Sequence, residues 1–439
     1  MKRFTMTKLN SLLLFAGLTS ATLVLPSMAS MIPSVALASA HAEQKIKRVP
    51  ALRDKVYSQL ARAQKLADDG DVKGGLAALD SVKERASSMN SYEKAMMYNF
   101  YGFIYYNENR LGEAIEAFEN VVAQTDIPES LTLSTLFSLA QLSMANDDYQ
   151  GVIDYLTRWD KVNTKAQPDS YYVLKSQAYY QMSQYQDALA AINTAIALAE
   201  KDGKTPKENW LVLQRALYYS LQQPEQVVAV IEKMIALYNK PEYWLQLSGM
   251  YGEVGREKEQ LATIEAAYQQ GFVTSKSDLR NLAQVYMFNG LPYKAAKVMK
   301  TAQAKGVVAD NVKNNAFIAE AFVQAKEERK SLAYFKKAAK QSQEGIYDQR
   351  LAEVHLNLEQ YAEAADAARA ALEKGGLQHE SNAYVALGMA QFNLQNFDAS
   401  ILAFEQAEKH KRSERLAQQW IKYVKNEKLH AETLKQALL

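Results

Sequence analysis

Between Ala95 and Pro128 the apolar residues fall in two bursts of helical period, separated by a polar break. In a frame numbered from Ala95, Tyr98, Tyr101 and Tyr105 occupy positions 4, 7 and 11, one face of a 3.6-period helix. Asn107 to Arg110 breaks the pattern, and Ala114, Phe118 and Val121 then occupy positions 20, 24 and 27 of a second helix. Gly102 at position 8 and Ala114 at position 20 are small where two antiparallel helices must approach to roughly 8–10 Å. Ala117, at position 23, is expected to be more exposed than Ala114. The stretch predicts one helical hairpin, and a lone hairpin cannot bury its apolar face, so copies are required on either side.

The pattern recurs. Units start near Val56, Ala95, Leu133, Asp169, residue 207, Pro241, Lys276, Val312, Gly345 and Ser381. The fourth carries Tyr172, Ser176, Tyr179, Ala188, Ile192 and Ala195 on the frame; the tenth carries Tyr384, Gly388, Phe397, Phe404 and Ala407. The first departs from it with polar Gln59 and Arg62, which suits an end unit lacking one neighbour. The fifth is the weakest. Trp210 and Leu213 fit its first helix, and Val227, Ile231 and Met234 fit its second only with one residue inserted near Pro224. From Ser413 onward a charged amphipathic segment with Leu416, Trp420, Tyr423 and Val424 on one face reads as a helix capping the last apolar surface.

This unit resembles the tetratricopeptide repeat. The resemblance implies an all-α fold, a right-handed superhelical solenoid of about ten hairpins with a C-terminal capping helix. The expected organisation is a signal peptide over 1–40, a polar leader over 41–55, the repeat array over 56–412 and the cap over 413–439. No low-complexity linker interrupts it, so one continuous array is expected, with the irregular fifth unit as its hinge.

The first forty residues stand apart. Lys2, Arg3 and Lys8 precede an apolar run from Leu12 to Leu25, Pro26 breaks the run, and Ala38-Ser39-Ala40 forms a small-residue cleavage site, with Ala40-His41-Ala42 as an alternative. Three of the 51 Lys and Arg lie in this segment, which leaves 48 against 49 Asp and Glu in the mature chain. That near-neutral balance, read as lacking a basic stripe, argues against nucleic acid as a partner. There is no cysteine, which excludes disulfides, thiol catalysis and an N-terminal lipid thioether. An exported, cysteine-free chain fits the periplasm of a Gram-negative cell. No segment beyond the leader is apolar for long enough to span a bilayer, so no stable membrane insertion is expected after cleavage.

Catalytic constellations do not emerge. No H-E-x-x-H, G-x-S-x-G or Walker-type loop is present, and none of the five histidines lies three or four residues from another. The chain therefore reads as a non-enzyme with no cofactor, no metal and no catalytic residues. His355 takes a position 11 usually held by tyrosine and is expected to be packed in the core. Lys326 to Lys330 reads as a solvated corner, and Lys409 to Arg412 as cations at a helix C-terminus.

Positions 5, 9, 12 and 13 of each first helix point away from the core contacts, toward the groove of a stacked array. They supply Asn99, Phe103, Tyr106 and Asn107 in the second unit, Phe137, Gln141 and Met144 in the third, and Gln177, Tyr180 and Gln181 in the fourth. The fifth adds Arg215, Tyr218 and Tyr219, the seventh Arg280, Gln284, Met287 and Phe288, and the tenth Met389, Phe392 and Asn393. The lining is aromatic, methionine and amide, unlike the lysine-rich carboxylate clamp of some tetratricopeptide domains. Amides pair with a peptide backbone and aromatics stack on apolar side chains. Asn99, Phe103, Tyr106, Asn107, Gln141, Gln177, Tyr180 and Tyr218 are the candidate binding set for a protein or extended peptide. The competing reading is that position 12 is half-core, making Tyr106, Tyr180 and Phe392 packing residues. The oligomeric state is left open.

The signal with its A-x-A end, the cysteine-free array and the closing Gln419-Trp420-Ile421-Lys422-Tyr423 segment resemble exported tetratricopeptide proteins associated with TonB-type energy-transduction systems. That resemblance implies an accessory role in iron-complex uptake. The alternative is a cell-envelope or polysaccharide-export scaffold, or a glycan-binding carrier, because tyrosine-rich grooves also stack sugars.

Overall fold

A computed structural model describes residues 50–437; the signal-peptide reading and residues 41–49 of the leader lie outside the described residues. The described residues form 21 α-helices with one 3-10 turn (Ala86–Ser88), and no strand among them. Two compact units divide after Tyr238. Unit 1 holds five hairpins: α1 (Asp54–Asp68) with α2 (Val72–Lys83), α3 (Ser91–Asn107) with α4 (Leu111–Val122), α5 (Glu129–Ala145) with α6 (Tyr149–Val162), α7 (Asp169–Gln181) with α8 (Tyr185–Lys201), and α9 (Glu208–Ser220) with α10 (Pro224–Tyr238). Unit 2 holds five more: α11 (Pro241–Glu253) with α12 (Glu257–Gln269), α13 (Lys276–Phe288) with α14 (Pro292–Ala304), α15 (Val312–Gln324) with α16 (Glu328–Gln341), α17 (Ile346–Asn357) with α18 (Tyr361–Lys374), and α19 (Glu380–Asn393) with α20 (Phe397–Glu408). The single helix α21 (Glu414–Ala437) follows.

Each hairpin turns the same way for the same reason. The first helix ends in a residue of positive φ at frame position 15: Gly70, Asn109, Asp147, Ser183, Gln222, Gly255, Gly290, Lys326, Glu359 or Gln395. The next backbone N–H then reaches back five residues to the carbonyl at position 11, as in Arg110 to Tyr105 at 2.8 Å and Arg256 to Tyr251 at 2.7 Å. This is the Schellman closure, which satisfies carbonyls that a helix end leaves free. Only three of the ten positions carry glycine, so the closure holds the backbone in a region that other L residues occupy at a cost.

The turn register also resolves the fifth hairpin. Gln222 is its position-15 residue, which sets the frame start at Glu208 and requires no insertion at Pro224. Tyr218 thereby moves from position 12 to position 11, and Arg215 from position 9 to position 8. Arg215 is accordingly buried, 4% exposed, where the other hairpins place a small residue. Trp210 and Leu213 are buried as well, one position earlier in the frame than the sequence pattern suggests. The boundary between the compact units comes directly after this hairpin.

Within a hairpin the two helices meet at positions 8 and 20. A Cβ on Gly102 would lie 2.6 Å from the Phe118 ring, and one on Gly388 would lie 2.8 Å from the Phe404 ring. On Gly75, at position 20, it would lie 2.8 Å from the carbonyl of Ala63 at position 8. Serine marks the same approach elsewhere. Ser176 donates to the Ala188 carbonyl at 2.7 Å, Ser248 to that of Gln260 at 3.1 Å, and Ser400 to that of Gly388 at 2.8 Å. Each such hydroxyl is buried and satisfied by the backbone of the opposite helix.

Between hairpins the apolar faces form continuous clusters. In unit 1, Phe118, Val121, Leu136, Leu139, Leu156, Trp159 and Tyr171 join three successive hairpins. In unit 2, Ile264, Leu282, Tyr286, Met299, Ile318 and Phe322 do the same. Ala117 belongs to the cluster of Leu60, Leu79, Tyr101 and Ile104 and is 5% exposed, against the expectation that it faces outward. The reason is the stacking itself. Position 20 faces the partner helix, while position 23 turns toward the preceding hairpin, which the pattern of one isolated hairpin does not show. His355 is buried in α17 as expected, its Nδ1 2.7 Å from the side-chain oxygen of Gln360.

Polar ties run between hairpins along the same direction. Tyr101 on α3 donates to Asp80 on α2 at 2.5 Å, and Tyr171 on α7 donates to Asp160 on α6. Arg158 on α6 reaches Glu119 on α4 at 2.6 Å, and Lys294 on α14 reaches Glu265 on α12 at 2.5 Å. Arg350 on α17 takes both oxygens of Glu320 on α15 at 2.7 Å each. At the start of unit 1, Arg53 grips Glu93 of α3 with two side-chain bonds of 2.6 and 2.7 Å. Glu93 is fully buried, and the Arg53 guanidinium and the Asn90 backbone hold its carboxyl below the usual range. Part of the expected leader is therefore structural. At the other end, Ala417 and Val424 of α21 are buried against Phe404 and Ala407, and the Trp420 ring stacks on Phe404 at 5.3 Å between centroids.

Two outcomes test this packing. The same substitution should act with opposite sign at two glycines of one hairpin. Gly102→Ala forces a methyl against the fully buried Phe118 and should destabilise by about 1–3 kcal/mol. Gly112→Ala, in α4 with nothing within 4 Å of the added carbon, should stabilise by about 0.5–1 kcal/mol. Urea midpoints of the two variants decide it. Burial, with Glu265 adding to it, pushes the Tyr286 phenol up to about 12. The unfolded chain has tyrosines near about 10, so the neutral phenol's contribution is intact below that pH and is lost as pH rises through about 12. Stability should therefore fall across that interval, less steeply in Tyr286→Phe, as read by denaturation at stepped pH.

Candidate functional site

The first helices of hairpins two to five, α3, α5, α7 and α9, carry the candidate binding residues. Asn99 and Phe103 are 4% and 7% exposed. Phe103 meets Phe118 edge-on at 5.4 Å and lies in the core cluster of the second and third hairpins, so it contributes packing rather than an open face. Tyr106 is half-buried, packed against the rim of that cluster with Phe137 and Met144. Asn107 is exposed at the end of α3. Gln141 and Gln177 are half-buried on α5 and α7. Tyr180 is half-buried with its ring 5.8 Å from Tyr185, and burial raises its pKa. Tyr218 is half-buried in the position-11 series that also contains Tyr105, Tyr179, Tyr251 and Tyr286, where it supports the hairpin. Tyr219, next to it, is the more open ring at 39% exposure.

The polar groups of this set are largely unused by the fold. The Gln141 side-chain oxygen is enclosed yet has no hydrogen-bond partner, and Thr135 and Ser143 on the same helix also carry unpartnered, buried hydroxyls. By contrast Gln214 on α9 is tied to Asn193 on α8 at 2.7 Å. α5 is therefore the helix of unit 1 with the most unspent hydrogen-bonding capacity among the described residues.

Unit 2 holds a cavity of about 470 Å³ on its own first-helix side. Arg280 and Gln284 of α13 and Ala316, Phe317 and Glu320 of α15 line it, with Lys313, Asn314 and Tyr347. Arg280, Gln284, Ala316 and Glu320 are positions 5 and 9 of two successive hairpins, so the frame positions read as groove-facing do converge here. Glu320 is held by Arg350, whereas Arg280 and Lys313 have no ion-pair partner among the described residues. Continuing the position-5 and position-9 reading through the eighth unit points to Ala316 and Glu320. Phe317 and Tyr347 lie off those positions, and nothing in the repeat pattern points to them. Among the described residues no group of three or more His, Asp and Glu is gathered as metal ligands, and no helix is long and apolar enough to cross a membrane.

Residues 169–202, which are α7 and α8, match the tetratricopeptide repeat, as do residues 350–414, which span the ninth and tenth hairpins. Among solved structures, MamA is 18% identical, covers 39% of this chain and 94% of its own, and superposes with a TM-score of 0.33. YrrB, described as a TPR protein with an unusual peptide-binding site, is 14% identical, with 46% and 97% coverage and a TM-score of 0.34. The Cut9–Hcn1 hetero-tetramer of the APC/C is 12% identical, with 84% coverage of both chains and a TM-score of 0.29. Comparison with curated proteins gives no match. The chain thus carries tetratricopeptide repeats in an all-α array of helical hairpins, the class of fold that its periodicity predicts.

Proposed function

We propose that the chain is a scaffold whose unit 1 binds an extended, weakly charged protein segment along the first-helix face of hairpins two to five. The observation that carries this reading is the row of half-buried Tyr106, Gln141, Gln177 and Tyr180 on successive first helices, with the amide oxygen of Gln141 left unpartnered. Amide side chains offer donors and acceptors to a backbone without selecting its charge, and large rings supply anchoring area. Tyr219 replaces Tyr218 in the set, and Phe103 and Asn99 support it from beneath.

The test is a crosslinking pull-down with the full chain as bait, followed by binding of the recovered partner to a Tyr106→Ala, Tyr180→Ala, Tyr219→Ala variant. Aromatic anchors of this kind cost more than about 1 kcal/mol each when truncated, so affinity should drop at least tenfold, with weak dependence on salt. Unchanged affinity at unchanged helical content overturns the assignment. Recovery of a polysaccharide in place of a protein favours the glycan carrier.

The proposed setting is the periplasm, on the strength of the basic start, apolar run and Ala38-Ser39-Ala40 site, and the proposed system is a TonB-type one, on the resemblance given above. Intact-mass measurement of the exported chain should find it starting at His41 or Glu43. A mass that retains residues 1–40 overturns the export reading.

A further inference from the structure

The near-neutral balance of the chain hides a segregated charge, and the absence of a basic stripe expected from composition is not what the fold displays. Residues 276–341 contain thirteen Lys and Arg against five Asp and Glu, while the whole chain is only +2. Most of that excess lies on α14 and α16, the second helices of the seventh and eighth hairpins. α14 has three lysines and no acidic residue; α16 has five basic residues and one acidic residue.

Helical spacing turns these cations outward. Tyr293, Lys297 and Lys300 recur at i, i+4 and i+7 on α14, opposite the buried Ala295, Val298, Met299 and Ala302. Arg329, Lys336 and Lys340 recur at i, i+7 and i+11 on α16, opposite the buried Ser331, Phe335 and Ala338. The five cations are exposed, and none has an ion-pair partner among the described residues. Both helices pack against α15, and side chains link them at either end. At one end the Lys330 ammonium sits 5.0 Å above the Tyr293 ring. At the other, Gln303 of α14 bonds Asn315 at 3.0 Å, Asn315 bonds Gln341 of α16 at 3.1 Å, and Asp310 in the intervening loop pairs with Lys337 at 2.7 Å. Thirteen residues make a helix of about 20 Å, so the patch measures roughly 20 Å along the helices and two helix widths across.

The neighbours on either side bear the opposite bias. α12 presents exposed Glu257, with Glu259 and Glu265 paired to Arg256 and Lys294, and α18 presents exposed Glu363 and Glu373, with Asp366 paired to Arg369. A long polyanion or a lipid surface laid across α14 and α16 would continue over these carboxylates and be repelled. A short anionic segment fits within the bounds. We propose that the outward face of α14 and α16 is a second docking surface, distinct from the first-helix faces, and that it takes an acidic protein segment of about three to four helical turns. Opposed charge at this scale steers association and sets orientation, with Tyr293 supplying one apolar contact at the edge of the patch.

The probe is a fluorescein-labelled 14-residue peptide rich in Glu and Asp, titrated with the full chain and read by anisotropy. Binding should weaken at least tenfold in Lys297→Glu, Lys300→Glu, Lys336→Glu, Lys340→Glu. A control with the same change in net charge, Lys55→Glu, Lys65→Glu, Lys73→Glu, Lys201→Glu, all in unit 1, should stay within about twofold of the parent. The corresponding four Lys→Gln changes remove the charge without adding repulsion and should weaken binding by an intermediate factor, which keeps the test open should the reversal disturb folding. Equal weakening by reversal and control would reduce the effect to net charge and overturn the proposal. Tighter binding of anionic phosphatidylglycerol vesicles or of a single-stranded oligonucleotide than of the peptide would overturn it in favour of those polyanions.

Discussion

The close approach of two backbones at frame positions 8 and 20 is the constraint from which the rest of this protein follows. Position 8 carries glycine, alanine or serine in nine of the ten hairpins, which lets Phe118 and Phe404 lie across the opposite helix, and the fifth hairpin, with buried Arg215 there, is the exception. At Ser176, Ser248 and Ser400 the hydroxyl reaches the facing carbonyl, so the same geometry that admits a small residue also satisfies a polar one. Once the pair is fixed, the Schellman turn at position 15 closes it, and the remaining apolar face packs on the next hairpin. Within each compact unit, successive hairpins stack through one local contact, repeated.

That locality explains what the sequence revealed and what it withheld. The hairpins, their turns and the small-residue contacts are properties of residues within one 34-residue window, and Tyr98 to Val121 alone displays them. The pattern of its own hairpin does not show Ala117 as buried, because its burial comes in part from Leu79 and Val82 on α2, outside its own window. Residue 215 was misplaced because the register of the fifth hairpin is set by a positive-φ glutamine, Gln222, which no residue-type rule singles out. Arg53 read as a leader residue because its partner Glu93 lies forty positions away, and a buried carboxylate has no one-dimensional signature.

The candidate site was legible to a lesser degree, for a related reason. Frame positions say which way a side chain leaves its helix, but not what waits there. Positions 5 and 9 converge on a cavity in unit 2, as direction alone would suggest. In unit 1 the same directions lead Phe103 into contact with Phe118, whereas Gln141 keeps an unpartnered oxygen. The difference lies in size and chemistry. A phenylalanine at position 9 is long and apolar enough to bend back into the core, and an amide at that position gains nothing by doing so. The useful reading of a groove position therefore combines direction with the cost of folding inward, and residue type alone does not mark the open face, since Asn99 is buried while Tyr219 and Phe288 are exposed.

The same division of labour accounts for the charge. In a stack, the apolar residues of each second helix are committed to two neighbours, and its outward stripe is free of any packing demand. Ion pairs between successive helices, such as Glu119 with Arg158 and Glu265 with Lys294, use that freedom to tie neighbours together, and each is exposed enough to contribute little alone. Beyond the paired Lys294, Lys330 and Lys337, α14 and α16 depart from this use. Their outward stripes hold Lys297, Lys300, Arg329, Lys336 and Lys340 without acidic partners among the described residues, while on the bordering helices Glu259, Glu265 and Asp366 are already held by other cations. Like charges on adjacent helices repel, so this arrangement works weakly against the stack it belongs to. Fold stability does not explain such a concentration of cations, whereas a partner that arrives with the opposite charge does.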